Sequence, residues 1–163
     1  YIDHVQITNN ETLGVGDRTT FYNATGALRD MFQSHLLQTL ALVAMEQPKD
    51  LSPESIRSEK IKLLESIRPI DVKNIKSQAF RAQYAAGRVC VADGHGENVP
   101  GYLEELKRDG VESSNTETYA AVKLFIDNPR WKGVPFYVRT AKRMHEGNTA
   151  IAIRFKKAPM LLK

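Results

Sequence analysis

The chain has 163 residues, 42% of them apolar and 26% charged, with a formal net charge of +4. That length suits one domain with a real core, and no run of about 18 apolar residues encodes a membrane span. The positive charge suits phosphorylated small molecules or nucleic acid as partners. The basic residues are scattered, however, densest at Arg139, Lys142, Arg143, Arg154, Lys156 and Lys157, as on an ordinary solvated surface, and no nucleic-acid-binding motif accompanies them.

Ile2 to Thr8, "IDHVQIT", alternates as a strand with Asp3, Val5 and Ile7 on one side. "NNETLGVGDR" follows with turn residues, punctuated by Gly14 and Gly16. From Phe21 to Glu46 the pattern is helical, and Thr25 and Gly26 within it leave the first turn open to start on either side of them. Its second half, "LLQTLALVAM", is apolar on almost every face and so is expected to be buried. Its first half carries Arg29, Asp30, Gln33, Ser34 and His35. A polar head on a buried helix is a natural floor for a cleft.

A second helix is expected in "KDLSPESIRSEKIKLLESIRPI", with Ser52 as N-cap, Pro53 at the first helical position and Glu54 at the positive helix end. Ile56, Ile61, Leu64 and Ile67 form its apolar stripe, and Pro69 helps end it. "FRAQYAAG" reads as a strand, and "RVCVADGHGENVPGYLEELKRDGVESSN" as a long exposed loop with one helical turn near Tyr102 to Lys107. "TETYAAVKLFID" is a third strand. "PFYVRTAKRM" and "TAIAIRFKKAP" then read as a strand pair, the second alternating Ile151, Ile153 and Phe155 with Ala152, Arg154 and Lys156. Helices come first and strands second, which argues for an α+β fold with long helices packed on a mainly antiparallel sheet.

The lone cysteine, Cys90, excludes an internal disulfide and fits a reducing compartment. "YIDHVQITNN" lacks the basic start and apolar stretch of a signal peptide. There is no initiating Met, and the chain stops abruptly after a strand, so it reads as a piece of a longer protein. No G-x-G-x-x-G and no phosphate-binding P-loop occurs; Gly94 and Gly96 make only a lone G-x-G. His4, His95 and His145 are isolated, and no His/Cys group has metal-ligand spacing. Asp30 and His35 remain. In an α-helix five residues leave them roughly 140° apart, so they flank rather than share a face. Residue type alone leaves open a structural histidine, the commoner case, and a catalytic one.

"FYNATGALRDMFQSHLLQTLALVAMEQP" closely resembles a segment of the glucose-6-phosphate dehydrogenase family, with Gly26, Arg29, Asp30, Gln33, His35, Gln38, Ala44, Met45, Glu46 and Pro48 in matching places. "SIRSEKIKLLESIRPI", "QYAAG", "VPGYLEE" and "SNTETYAAVKLFIDNPRWKGVPFYVRTAKRM" resemble further family motifs in the same order. The resemblance implies oxidation of glucose 6-phosphate at C1 in the cytoplasm, with NADP taking the hydride. It implies His35 as the base, and Asp30, Glu11 and Lys142 as substrate contacts. It implies a single, truncated C-terminal-type domain over residues 1–163, with the dinucleotide-binding domain, which holds most of the cofactor site, absent. It also implies a homodimer formed through the sheet, with the strands from Thr116 to Phe155 as its surface.

Three departures stand out. Ala141 replaces the Gly of the family's R-T-G-K, Gly147 replaces a cationic residue five positions after Lys142, and Ser34 replaces Asn. The R-I-D-H-Y-L-G-K segment is missing. "YIDHV" imitates its start without the Leu-Gly-Lys that follows, so Asp3 and His4 carry no catalytic role here. The isolated chain is therefore expected to be inactive. The alternative reading is a non-catalytic module for dimerisation or sugar-phosphate binding.

Overall fold

The computed structural model describes residues 1–90 and 96–157. Gly94 and His95 lie outside the described residues. Strand β1 (Ile2–Asn10) leads through a turn into helix α1 (Thr19–Ala27). A π-helical segment, Leu28–Leu36, runs on into α2 (Leu37–Ala44). Helix α3 (Pro53–Glu65) and the short α4 (Ile75–Gln78) precede strand β2 (Ala79–Ala82). Strands β3 (Gly87–Cys90) and β4 (Gly96–Val99) pair with each other, and α5 (Tyr102–Arg108) follows. Strands β5 (Tyr119–Phe125), β6 (Pro135–Ala141) and β7 (Asn148–Phe155) complete the described elements.

The main sheet has the order β2-β5-β6-β1-β7. Three of its pairings are antiparallel, and only β1 runs parallel to β6. The fold is thus α+β with a mainly antiparallel sheet, as the order of elements implies. The expected pairing of β6 with β7 does not form, because β1 lies between them. The reason is burial. Val5 and Ile7 are 0% and 1% exposed in that inner place, where they join Val122, Leu124, Phe136 and Val138 against Phe32, Leu36, Leu40, Ala41 and Ala44. At the edge, in β7, Ile151, Ile153 and Phe155 stay exposed in spite of their clean alternation.

The single expected helix from Phe21 to Glu46 is two. Gly26 has φ 66° and ψ 176°, which breaks the backbone between α1 and the π-helix. A side chain could not follow it there: a Cβ on Gly26 would stand 2.6 Å from Glu117 Oε1. Helix α3 starts as its sequence implies, with the Ser52 hydroxyl accepting from the Ser55 amide. Its buried anchor is Leu63, however, while Ile61 faces solvent. Trp131 fastens the end of α2 to the sheet: its indole N–H donates to the Ala44 carbonyl at 2.8 Å and its ring meets Phe136 edge-on at 5.0 Å.

The expected long loop after β2 is in part ordered structure. It holds the β3–β4 pair and a two-turn helix, α5, whose Tyr102 and Leu106 are fully buried with Tyr22 and Val15 in a second, smaller core. Among the described residues no helix is long and apolar enough to cross a membrane.

Candidate functional site

The connection from β6 to β7 arches over the end of β1. Ala141 and Asn148 both stand opposite Asn10 in the sheet, so the segment between them must cross the residues that follow β1. Backbone hydrogen bonds seal the crossing: Glu11 N to Ala141 O at 2.8 Å, Met144 N to Glu11 O at 2.9 Å, and Arg143 N to Leu13 O at 3.0 Å. Glu11 and Lys142 are thereby brought face to face, and the Lys142 ammonium pairs with the Glu11 carboxylate. Lys142 Nζ also lies 5.4 Å over the ring of Tyr22.

A cavity of about 560 Å³ opens here, lined in part by Glu11, Arg18, Tyr22, Lys142 and Gly147. Asp30 stands beside it, with its carboxylate 3.9 Å from the Arg18 guanidinium. Burial, reinforced by the nearby Asp30 and Glu117 carboxylates, pushes the Tyr22 phenol well above its ordinary range, so it remains a neutral hydrogen-bond donor. A larger hollow of about 760 Å³ lies along Ile75, Phe80 and Arg81 and contains none of Glu11, Asp30, His35 or Lys142.

Glu11, Lys142 and Asp30 therefore cluster around Tyr22 and Arg18. His35 does not join that cluster. It sits on the π-helix with an exposed imidazole that has no hydrogen-bond partner among the described residues. The π-helix changes the relation between Asp30 and His35 expected from an α-helix. The Leu37 amide donates to the Phe32 carbonyl, five residues back, and such a ladder winds more slowly, so residues five apart come closer to one side. The Ser34 hydroxyl donates to the Asp30 carbonyl, the acceptor that the Ser34 amide would use in an α-helix.

The π-helix is held at its start by Glu117. Its carboxylate accepts from the Leu28 amide at 2.9 Å and its carbonyl from the Ala27 amide at 3.0 Å. A carboxylate at this positive helix end satisfies donors that could otherwise hold a phosphate. The start of α3 is likewise met by Ser52, and Glu104 accepts from the Gly101 amide at the start of α5. In the turn from β1 to α1, which carries Gly14 and Gly16, two amides are taken within the chain: Val15 N by the Tyr84 hydroxyl at 2.9 Å and Gly16 N by Glu105 Oε2 at 3.1 Å.

Sequence reasoning passed over Tyr22, Arg18, Glu105, Tyr84 and Arg143. Glu105 in particular reads as an exposed helix charge, yet it is 5% exposed. The motif around Tyr84, "QYAAG", was visible, but its partner lies 21 residues on. The departure at Ala141 is mild in the structure. Among the described residues, the only one other than glycine with positive φ is Arg143, two positions further.

A family model described as glucose-6-phosphate dehydrogenase, C-terminal domain, matches residues 1–163. The chain is 50% identical to glucose-6-phosphate 1-dehydrogenase of Bacillus subtilis over 163 residues, which is 99% of this chain and 32% of that protein. It is 49% identical to the enzyme of the same name from Gluconobacter oxydans, over 97% of this chain and 30% of that one. A solved structure described as glucose-6-phosphate dehydrogenase in complex with its substrate glucose-6-phosphate matches with a TM-score of 0.80 and 36% identity, covering 98% of this chain and 31% of the other. The chain thus spans about a third of the length of the curated relatives it matches.

Proposed function

Because the chain belongs to the glucose-6-phosphate dehydrogenase family, matching its C-terminal domain, we propose that it carries the proton-abstracting base and part of the sugar site for oxidation of glucose 6-phosphate to 6-phosphogluconolactone, the reaction that opens the pentose phosphate pathway. The observation that carries this reading is the Glu11–Lys142 pair beside Asp30 in a cavity lined by a buried tyrosine. Carboxylates accept hydrogen bonds from sugar hydroxyls, and an ammonium suits an anionic substrate. Fixing the sugar in this way brings C1 to one orientation before any bond breaks.

In this reading His35 takes the proton of the C1 hydroxyl as hydride leaves the same carbon. A neutral imidazole is suited to that exchange near neutral pH, and the exposed ring of His35 is free to meet a substrate. NADP supplies the hydride acceptor when bound, and its binding falls outside the residues described. Residues 1–163 act as one C-terminal-type domain within a longer cytoplasmic enzyme. The domain alone is expected to be inactive.

The test compares two proteins. Purified chain with glucose 6-phosphate and NADP should give no sustained NADPH, while the full-length enzyme should turn over and lose its activity on His35→Asn. Turnover by the chain alone would overturn the division of labour, and a fully active His35→Asn enzyme would overturn the role of His35.

A second reading is favoured by one observation. Ile151, Ile153 and Phe155 are 48%, 41% and 67% exposed on the edge strand β7. An apolar strand surface of this kind suits association between copies through the sheet. Sedimentation of the purified chain separates a dimer from a monomer.

A further inference from the structure

Arg143 has φ 57°, a backbone conformation that a bulky residue keeps only where its surroundings over-determine it. Its amide donates to the Leu13 carbonyl at 3.0 Å. Its guanidinium donates to Glu105 Oε1 at 2.6 Å and lies 5.4 Å over the ring of Tyr84. Glu105 is buried, and its other oxygen accepts from the Tyr84 hydroxyl at 2.7 Å and from the Gly16 amide at 3.1 Å. Tyr84 in turn accepts from the Val15 amide at 2.9 Å. Gly14 makes room for the guanidinium, since a Cβ there would overlap it and stand 2.8 Å from Glu105 Oε1.

These bonds join four pieces of chain: the turn after β1, the residues after β2, helix α5 and the end of β6. A buried ion pair is weak evidence for stability in itself. Its place is more telling. One arm ends on the residue after Lys142 and the other on the segment that begins with Glu11, the two stretches that the Glu11–Lys142 pair also joins.

We infer that the Arg143–Glu105 pair, backed by Tyr84, is a positioning device for Lys142 and Glu11. It holds the backbone after Lys142 in a left-handed turn, which returns the Lys142 side chain over Tyr22 and into the cavity. The inference rests on the reading of Lys142 and Glu11 as sugar-phosphate contacts.

The experiment is a double-mutant cycle in the full-length enzyme that carries this chain, with KM for glucose 6-phosphate and kcat read for each variant. Arg143→Ala should raise KM about tenfold or more, with a smaller change in kcat. Arg143→Gly, which relieves the backbone but lacks the guanidinium, should be no better than Arg143→Ala. Arg143→Ala combined with Lys142→Ala should fall well short of the sum of the two single effects, because the arginine acts in large part through the lysine. Should Arg143→Ala not fold, Glu105→Gln keeps the shape of the acceptor and should raise KM in the same way. A KM within twofold of the parent for both Arg143→Ala and Glu105→Gln would overturn the inference, as would full additivity in the cycle. A Lys142→Ala enzyme with unchanged KM would remove the underlying sugar-contact reading, and the inference with it.

Discussion

Glu117 reaches across 89 residues of sequence to accept a hydrogen bond from the Leu28 amide at 2.9 Å, and its own carbonyl takes the hydroxyl of Tyr22 at 3.3 Å. One residue at the entry to β5 thus fixes both the helix that carries Asp30 and His35 and the ring beneath Lys142. Arg81, 3.4 Å from the same carboxylate, compensates part of its buried charge.

Gly26 is the residue that lets this happen. Gly26→Ala forces a Cβ against the Glu117 carboxylate at a backbone angle that L-residues avoid. It should cost about 1–3 kcal/mol and lower the melting temperature by several degrees in a calorimetric scan. Glu117→Gln keeps an acceptor but loses the charge at the helix end, and should cost about 1 kcal/mol. Equal melting temperatures for Gly26→Ala and the parent would contradict the crowding described.

His35 offers a cleaner separation of stability from chemistry, because its side chain is exposed and has no hydrogen-bond partner among the described residues. In the full-length enzyme, His35→Asn should reduce kcat by about 10²–10⁴-fold, the range for loss of a general base, with KM and melting temperature little changed. A kcat within tenfold of the parent would assign the base to another residue.

Gly147 borders the cavity with open space above it. A Cβ there would meet only Asn10 O at 3.7 Å and Thr12 Cγ2 at 3.8 Å. Gly147→Lys should therefore be tolerated and should lower KM for glucose 6-phosphate by about tenfold, as one added charge-assisted hydrogen bond would. KM for unphosphorylated glucose should not follow. Ala141→Gly should bring no such gain: Ala141 is 2% exposed at the end of β6, and the change should cost about 0.5–1 kcal/mol of stability.

Alkali should weaken the fold through its buried phenols. Burial raises Tyr22 and Tyr84 above their ordinary 10.0, with Asp30 and Glu117 adding to the effect at Tyr22 and the Glu105 hydrogen bond adding to it at Tyr84. The unfolded chain gives up these protons near pH 10 while the folded chain keeps them, so stability is full below that pH and falls as pH rises through it. Urea midpoints between about pH 8 and 11 should show the decline, and Tyr84→Phe should lessen its slope while lowering stability at every pH. A flat profile would show that the phenols are not held neutral by the fold.

What could be read from the sequence follows the range of the interaction. Ser52, Pro53 and Glu54 announce α3 because capping is local, and the alternation in β1, β5, β6 and β7 is local too. Thr25 and Gly26 leave the start of the helix open to either side of them in the sequence, and Glu117, far along the chain, decides it by meeting the backbone just after the break. The π-helix escaped because slower winding leaves apolar residues at nearly the same spacings. Insertion of β1 between β6 and β7 is a matter of which faces find cover, which no window of sequence contains. Helix α5 is short and rich in charge, so its polar letters concealed the burial of Tyr102 and Leu106. The site residues divide the same way. Asp30 and His35 were ambiguous on residue type and gained roles through motif resemblance, whereas Glu105 and Arg143 carry meaning only once α5 and the end of β6 meet.

The place of β1 between two later strands also sets an order of assembly. Its two neighbours are β6 and β7, and Thr8 meets Arg139 across 131 residues. A nascent chain makes the helices and β5 before either of the described ladder partners of Val5 and Ile7 exists, because β6 and β7 both follow them in sequence. Contacts this distant slow folding and lengthen the interval in which apolar surface is open to aggregation. A message cut short between β5 and β6 would thus release a polypeptide in which β1 lacks both of its described ladder partners and Glu11 never meets its lysine.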